Sequence, residues 1–461
     1  MIRQSCQSVF SHEPSLTEQL SAFLVATKSA DLPPSVVDDA KYYTLDWLGS
    51  AIAGTVTEPG RMLLAYALAQ AGQGATVLGL GEQRNADLAA LTNGGLSHIV
   101  EMDDLDRASV VHPAAPIIPA ALAVAERERA SGLAFLTAVV LGYEVAIRIG
   151  EAVGKTHYRL WHNTATCGIF GATAAAGWLL GLSEQQMTWA LGNAGTMSAG
   201  LWEFNADGAM SKHLHAGRAA SSGVLAADLA RQGFTGARHI LEGERGFFTA
   251  TSQDAEPERV VEGLKQGMET YRISGVSIKP HASCRHTHPA IDAALALRQQ
   301  PGFALDQITQ VEVETYQAAL DLTDNPQPTT PYAAKFSLYY CVACALWRGS
   351  AGLSDFTSQA IVDKNVRHLM AKVSLVHSPE LEARYPKEWP VRVTVTLADG
   401  RALTRTVDAP KGDPENPLSW DELEDKFHKM VAGTDYQRQA GALMERVRQL
   451  DEVKRVGILW G

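Results

Sequence analysis

Cysteine is scarce in this chain and odd in number: Cys6, Cys167, Cys284, Cys341 and Cys344 among 461 residues. Scattered thiols of that kind do not make a disulfide framework, and they point to a reducing, cytoplasmic setting. No uninterrupted apolar run approaches the ~20 residues of a membrane span, and Glu13 and Glu18 interrupt the first apolar stretch, so neither a span nor a signal peptide is expected. Positive charge is also in deficit. The 40 Lys and Arg stand against 51 Asp and Glu, a formal net charge of −11, which disfavours nucleic acid or an anionic membrane as the main partner. An anionic ligand must therefore be caught by a local cluster of cations. Cofactor signatures are missing as well. LGLGE and GNAGTMSAG do not follow a strand and open a helix in the dinucleotide manner. The cysteine spacing is not that of an iron–sulfur protein, and Lys212 has no visible phosphate cup for pyridoxal phosphate. The single C-x-x-C, Cys341 to Cys344, lies in an apolar helical run and reads as packing. No metal and no cofactor are expected, so the chemistry falls to side chains.

What is present is a long helical pattern. PPSVVDDAKYYTLDWLGSAIAG has prolines at a helix start, apolar residues three and four apart, and Gly54 at its end. Segments 59–73, 86–100, 116–129, 132–153, 165–181, 184–196 and 215–232 repeat this logic, and many are Ala- and Gly-rich with few charges on any face. Helices like that are buried on most sides. The character then changes. ITQVEVETYQ alternates as a half-buried strand does, and VRVTVTLADGRALTRTV over 391–407 reads as a hairpin about Asp399–Gly400. Helical stretches at 288–299 and 335–347 accompany these strands, and helices at 419–432 and 436–450 follow the proline-rich DAPKGDPENPLSW. The predicted fold is mostly α: a large all-helical domain over 1–268 plus 410–461, with a smaller α+β lid domain over 269–409.

The titratable residues cluster. HIVEMDDLDRASVVHP, residues 98–113, carries Glu101, Asp103, Asp104 and Asp106 between His98 and His112. Such a stretch suits a solvated turn, a metal site or proton-handling groups. His112–Pro113 opens a helix, whose dipole disfavours the imidazolium and favours nearby anions. KTHYRLWHN holds Lys155, His157, Arg159 and His162; MSKHLHAGRAA holds Lys212, His213, His215 and Arg218; KPHASCRHTHP holds Lys279, His281, Cys284, Arg285, His286 and His288. Convergent Lys, Arg and His suit a small polycarboxylate, whose anionic groups need neutralising in one pocket, and histidine moves protons near neutral pH. C-x-H-x-H on one side of a strand is the rival metal arrangement, but Arg285 between the ligands sets a cation beside it.

An acidic motif ending in HP, a W-H segment, S-K-x-L-H-x-G-x-A-A, K-P-x-x-x-C-R-H-T-H and K-F-S-L-x-Y follow in order along nearly the whole chain. This arrangement resembles the MmgE/PrpD family, which includes 2-methylcitrate dehydratase, cis-aconitate decarboxylase and iminodisuccinate epimerase. The resemblance implies a helical domain built from both chain ends, a lid domain, a homodimer, and cofactor-free chemistry on di- and tricarboxylates between the two domains. It places His112, His162 and Lys212 as catalytic groups, with Asp103 beside them. Glu101, Asp104, Lys279, Cys284, Arg285, His286 and Tyr340 are the expected substrate contacts. The family's D-x-D-D-T reads Glu101-Met102-Asp103-Asp104-Leu105 here. The threonine is lost, the first acid is one methylene longer and the spacing to His112 grows by about one residue. Those departures lean the reading from decarboxylation toward dehydration of a 2-methylcitrate-like hydroxy acid, with epimerisation of an iminodisuccinate-like compound as the alternative. A metal-dependent hydrolase and a non-catalytic scaffold are the readings from other classes.

Overall fold

The computed structural model describes residues 13–265 and 267–457; Cys6 lies outside them. Alanine and glycine let the helices approach closely. The helix Gly168–Leu179 is buried from Gly168 to Gly177, and it lies among Ala114–Arg127, Gly132–Ala152 and Ser211–Arg231. Side chains of one carbon or none leave almost nothing between such backbones, which is how a layered helical core forms from so few large residues. Gly132–Ala152 is long and apolar enough by composition to cross a membrane, which the sequence reading did not single out, and 89% of its most apolar window is buried inside the protein. Glu144 and Arg148 on it pair at 2.5 Å within that core.

The chain returns to this body at its end. Trp420–Val431 and Ala440–Arg448 pack on the N-terminal helix Pro34–Thr55, with Leu423, Phe427, Leu443 and Val447 joining the large apolar core. Between them lies a four-stranded sheet in the order Val373–His377, Ile308–Thr315, Val391–Leu397, Ala402–Val407, whose first pair is parallel and the others antiparallel. Val313 sits opposite Leu375 on one side and Val393 on the other. The predicted hairpin turns at Gly400, whose φ of 83° needs a residue without a Cβ. His288–Arg298 and Leu338–Arg348 cover the inner face with Ile291, Leu297, Val342 and Leu346. Cys341 and Cys344 are buried there as free thiols, in the packing role their sequence indicated. Met102 of the acidic stretch and Met430 of a C-terminal helix belong to this second core, so the acidic stretch lies where the two cores meet.

Candidate active site

The helix Ala86–Ser97 ends with His98 as its C-cap, and the chain then folds back on itself. Glu101 takes a φ of 61°, a left-handed conformation that costs a non-glycine residue about 1 kcal/mol or more. Its carboxylate is what the turn presents. Oε1 receives the Lys212 ammonium from the first turn of Ser211–Arg231, and Oε2 lies 3.3 Å from Lys279 Nζ. Lys279 arrives because Leu105 and Ser277 exchange both backbone hydrogen bonds at 2.8 Å. Two further lysines brace the turn from behind. Lys335 Nζ donates to the Val100 carbonyl at 2.7 Å, and Lys426 Nζ donates to the Met102 carbonyl at 2.7 Å and pairs with Asp46. The solvated-turn alternative is excluded, since Glu101, Asp103, Asp104 and Asp106 are all buried. Burial pushes carboxylates up, and at Glu101 the Lys212 and Lys279 charges override it and hold the group well below its usual range. Burial also pulls the Lys335 ammonium down to about 8.

Asp103 Oδ2 accepts the Nδ1 proton of His98 at 2.6 Å and lies 3.3 Å from His112 Nδ1 without hydrogen-bond alignment. It therefore sets the orientation of one imidazole and faces the other. Burial raises Asp103, but His98 and His112 outweigh it and keep the group low. Burial pulls His112 down to about 4, so the ring is neutral at physiological pH. His162 begins a short turn, with its N–H donating to the Gly200 carbonyl at 2.9 Å. Its ring stacks on His98 at 5.4 Å between centroids, and burial again holds it well below its ordinary value.

These groups meet at a cleft of about 540 Å³. Glu101, His112, His162, Lys212, Lys279, Cys284, Arg285 and His286, all predicted from sequence, stand on its wall. Three other predicted residues do not. Tyr340 is fully buried in the sheet domain, where its hydroxyl donates to the Asp355 carbonyl at 2.5 Å; its place in the helix Leu338–Arg348 turns it inward, and Tyr332 and Phe336 line the cleft instead. Asp104 accepts from Tyr143 Oη at 2.7 Å and from the Ala114 N–H at 3.1 Å, capping the helix that follows His112. Burial drives its carboxyl well above the usual range. Asp103 sits behind His112, facing its ring while hydrogen-bonded to His98, and does not reach the cleft wall. Arg285 lines the cleft, yet its guanidinium pairs with buried Asp413 and donates to the Lys411 carbonyl, so most of its charge is spent within the protein. His286 is held by Tyr316 Oη at 2.8 Å and stacks 4.4 Å from Trp389.

C-x-H-x-H is not a strand. Arg285–Thr287 is a 3₁₀ turn and His288 starts a helix. Among the described residues, the donor atoms near enough to share an ion are those of His98, Asp103 and His112, within 4.8 Å of one another. Sequence reasoning left several lining residues outside its site. Arg159 is exposed at the cleft and has no ion partner among the described residues, while Tyr158, Trp202 and Tyr332 add aromatic walls. Arg159 was visible as one of the two cations of KTHYRLWHN, with Lys155; Tyr332 carried no signal beyond lying three residues before Lys335. The cleft thus offers neutral imidazoles, ammonium groups and a confined volume, which is what removing a proton beside a carboxylate requires.

Comparison with known proteins gives the family. The MmgE/PrpD N-terminal domain matches residues 18–260 and the MmgE/PrpD C-terminal domain matches residues 281–452. A cis-aconitate decarboxylase-like protein of Aspergillus oryzae is 28% identical over 91% of this chain and 91% of its own length. Cis-aconitate decarboxylases of Mus musculus and Homo sapiens are 28% and 27% identical, each over 96% of this chain and over 92% and 94% of their own lengths. With both family domains matched across most of its length and the motif residues gathered in one cleft, the chain belongs to the MmgE/PrpD family.

Proposed function

We propose that this protein is a cofactor-free lyase that removes water from a small di- or tricarboxylate carrying a β-hydroxyl, a 2-methylcitrate-like acid. The observation that carries the reading is the pair of imidazoles, His112 and His162, standing on one cleft wall with Lys212 and Lys279. Dehydration needs one proton taken from carbon and one given to the departing hydroxyl. Neutral His112, with the Asp103 carboxylate facing its ring, takes the first. The resulting enediolate-like charge is met by the Lys212 and Lys279 ammoniums, which stand ready without reorganisation. His162 gives the second proton, and exposed Arg159 receives a carboxylate at the mouth. Glu101 already occupies two of the lysines, so the cleft favours fewer ionised groups on the substrate.

Decarboxylation of a cis-aconitate-like acid is the second reading, favoured by what the relatives are named for. It uses the same stabilised carbanion but needs one proton donor rather than two imidazoles. Incubation in deuterated water with hydroxy, unsaturated and imino polycarboxylates separates these. Loss of water from a hydroxy acid is expected. Release of carbon dioxide selects the second reading, deuterium uptake with the carbon skeleton and functional groups intact means epimerisation, and no reaction with any of them removes the lyase. The trio His98, Asp103 and His112 makes metal analysis of the purified protein the matching control, with turnover expected to survive a chelator.

A further inference from the structure

His162 does not end at the active-site cleft. Its Nδ1 lies 3.3 Å from the Nδ1 of His215, one turn along from Lys212 on Ser211–Arg231. A contact between two ring nitrogens holds one proton: one Nδ1 donates and the other accepts. That leaves Nε2 of His162 for the cleft, and neither Nε2 has a protein partner among the described residues. On its far side His215 lines a second cavity of about 570 Å³. Exposed Leu201, Ser211, Leu214 and Arg218 form part of that cavity's wall, so it opens at the surface. The two cavities share Leu201 and Glu203, and the imidazole pair spans the partition between them.

We propose that His215 is a positioning residue that relays protons between solvent in the second cavity and His162 in the catalytic cleft; the proposal rests on the lyase reading above. In the inward stroke, His162 Nε2–H gives its proton to the departing hydroxyl, which leaves as water. His215 Nδ1–H passes its proton to His162 Nδ1, and His215 Nε2 takes a proton from water in the second cavity. One proton enters, one leaves, and both rings finish neutral with their tautomers exchanged. The return stroke runs outward: His162 Nε2 takes a proton from water in the emptied cleft, His162 Nδ1–H passes one back to His215 Nδ1, and His215 Nε2 releases one to the hydroxide left in the second cavity, while the hydroxide left in the cleft takes the carbon's proton from His112. No step of the relay makes an imidazolium of His162 or His215, the form that burial opposes at both rings, with His215 pulled down to about 4.

Asparagine at 215 can still hydrogen-bond to His162 but cannot take a proton on one atom and release it from another. His215→Asn is therefore expected to lower kcat about 100-fold, the lower end of what proton-transfer groups contribute, with KM within a factor of about two. In His215→Ala, added imidazole is expected to enter through the second cavity and restore turnover. Wild-type kcat in His215→Asn overturns the relay. So does a loss in His215→Ala that imidazole leaves untouched while KM rises, which marks a packing role. If the wild-type protein turns over none of the polycarboxylates, the lyase reading itself falls and takes the relay with it.

Discussion

Lys212 shares the Glu101 carboxylate with Lys279, so deleting one ammonium leaves the acid paired and the turn closed. Lys212→Ala is accordingly expected to keep the wild-type melting temperature within a few degrees while lowering turnover at least about 100-fold, the scale of a lost charge-stabilising donor; wild-type rates would remove Lys212 from the mechanism. Tyr340 makes the opposite case. Its hydroxyl serves Asp355 inside the sheet domain, so Tyr340→Phe should leave kcat and KM unchanged and lower stability by about 1 kcal/mol, the worth of one hydrogen bond. A raised KM would return Tyr340 to the substrate. His112 sets a pH dependence. A base works only when unprotonated, and burial pulls this imidazole from 6.5 to about 4. The profile of kcat/KM against pH should therefore fall on the acid side near 4 and be flat through neutrality, whereas an acid limb near 6.5 would assign the base elsewhere.

At the scale of elements, the site depends on how closely two helices cross. Ala86–Ser97 delivers His98 at its end, and Ser211–Arg231 delivers Lys212 at its start. They approach backbone to backbone, and a Cβ on Gly217 would meet the Leu91 carbonyl oxygen at 2.3 Å. Gly217→Val should pry the helices apart, destabilise the fold by about 1–3 kcal/mol as overpacking does, and lower activity although it touches no substrate. Gly441→Ala, a position with nothing within 4 Å, is the control and should raise the melting temperature slightly; equal melting of both variants would mean the crossing is not tight. The helices themselves were legible because Ala- and Gly-rich segments with a 3.6-residue period are long enough to show it. The strand Val373–His377 and the hairpin Ala75–Val77 with Glu82–Arg84 were not, since three to five residues give periodicity nothing to work on. In the site, Glu101, His112, His162, Lys212 and Lys279 stood out by type and motif. The bridge from Glu101 to both lysines did not, because local pattern does not encode partners 111 and 178 residues away. The same holds for His215 against His162, and Tyr340 was misplaced because the motif gives spacing but not the direction a helix turns it.

For the whole molecule, burying so many neutral imidazoles ties folding to pH. His112, His157, His213 and His215 are each pulled from 6.5 to about 4, and His286 to about 3, with burial the leading cause at every one. Between those values and 6.5 the unfolded chain binds protons that the folded chain refuses, so stability is full above about 6.5 and declines as pH falls toward 4. Asp46, raised by burial from 3.8 to about 6, works in the opposite sense, because the folded state takes up its proton first; Asp104 and Asp106 do the same. Glu101 and Asp103 are lowered, so their contribution is lost as pH falls below the 4.5 and 3.8 of the unfolded chain, at the acid end of this window, in the same direction as the histidines. The histidines also include His162 and His288, both held well below 6.5, so they outnumber the raised carboxylates and set the sign. Thermal melts at about pH 7.5 and about pH 5 should differ by several degrees, the acid sample melting lower. Calorimetry at about pH 5 in two buffers of different ionisation enthalpy should show net proton uptake on unfolding. Equal melting temperatures with no proton uptake would mean that these rings are already protonated in the fold, and a neutral His112 could then no longer serve as the base.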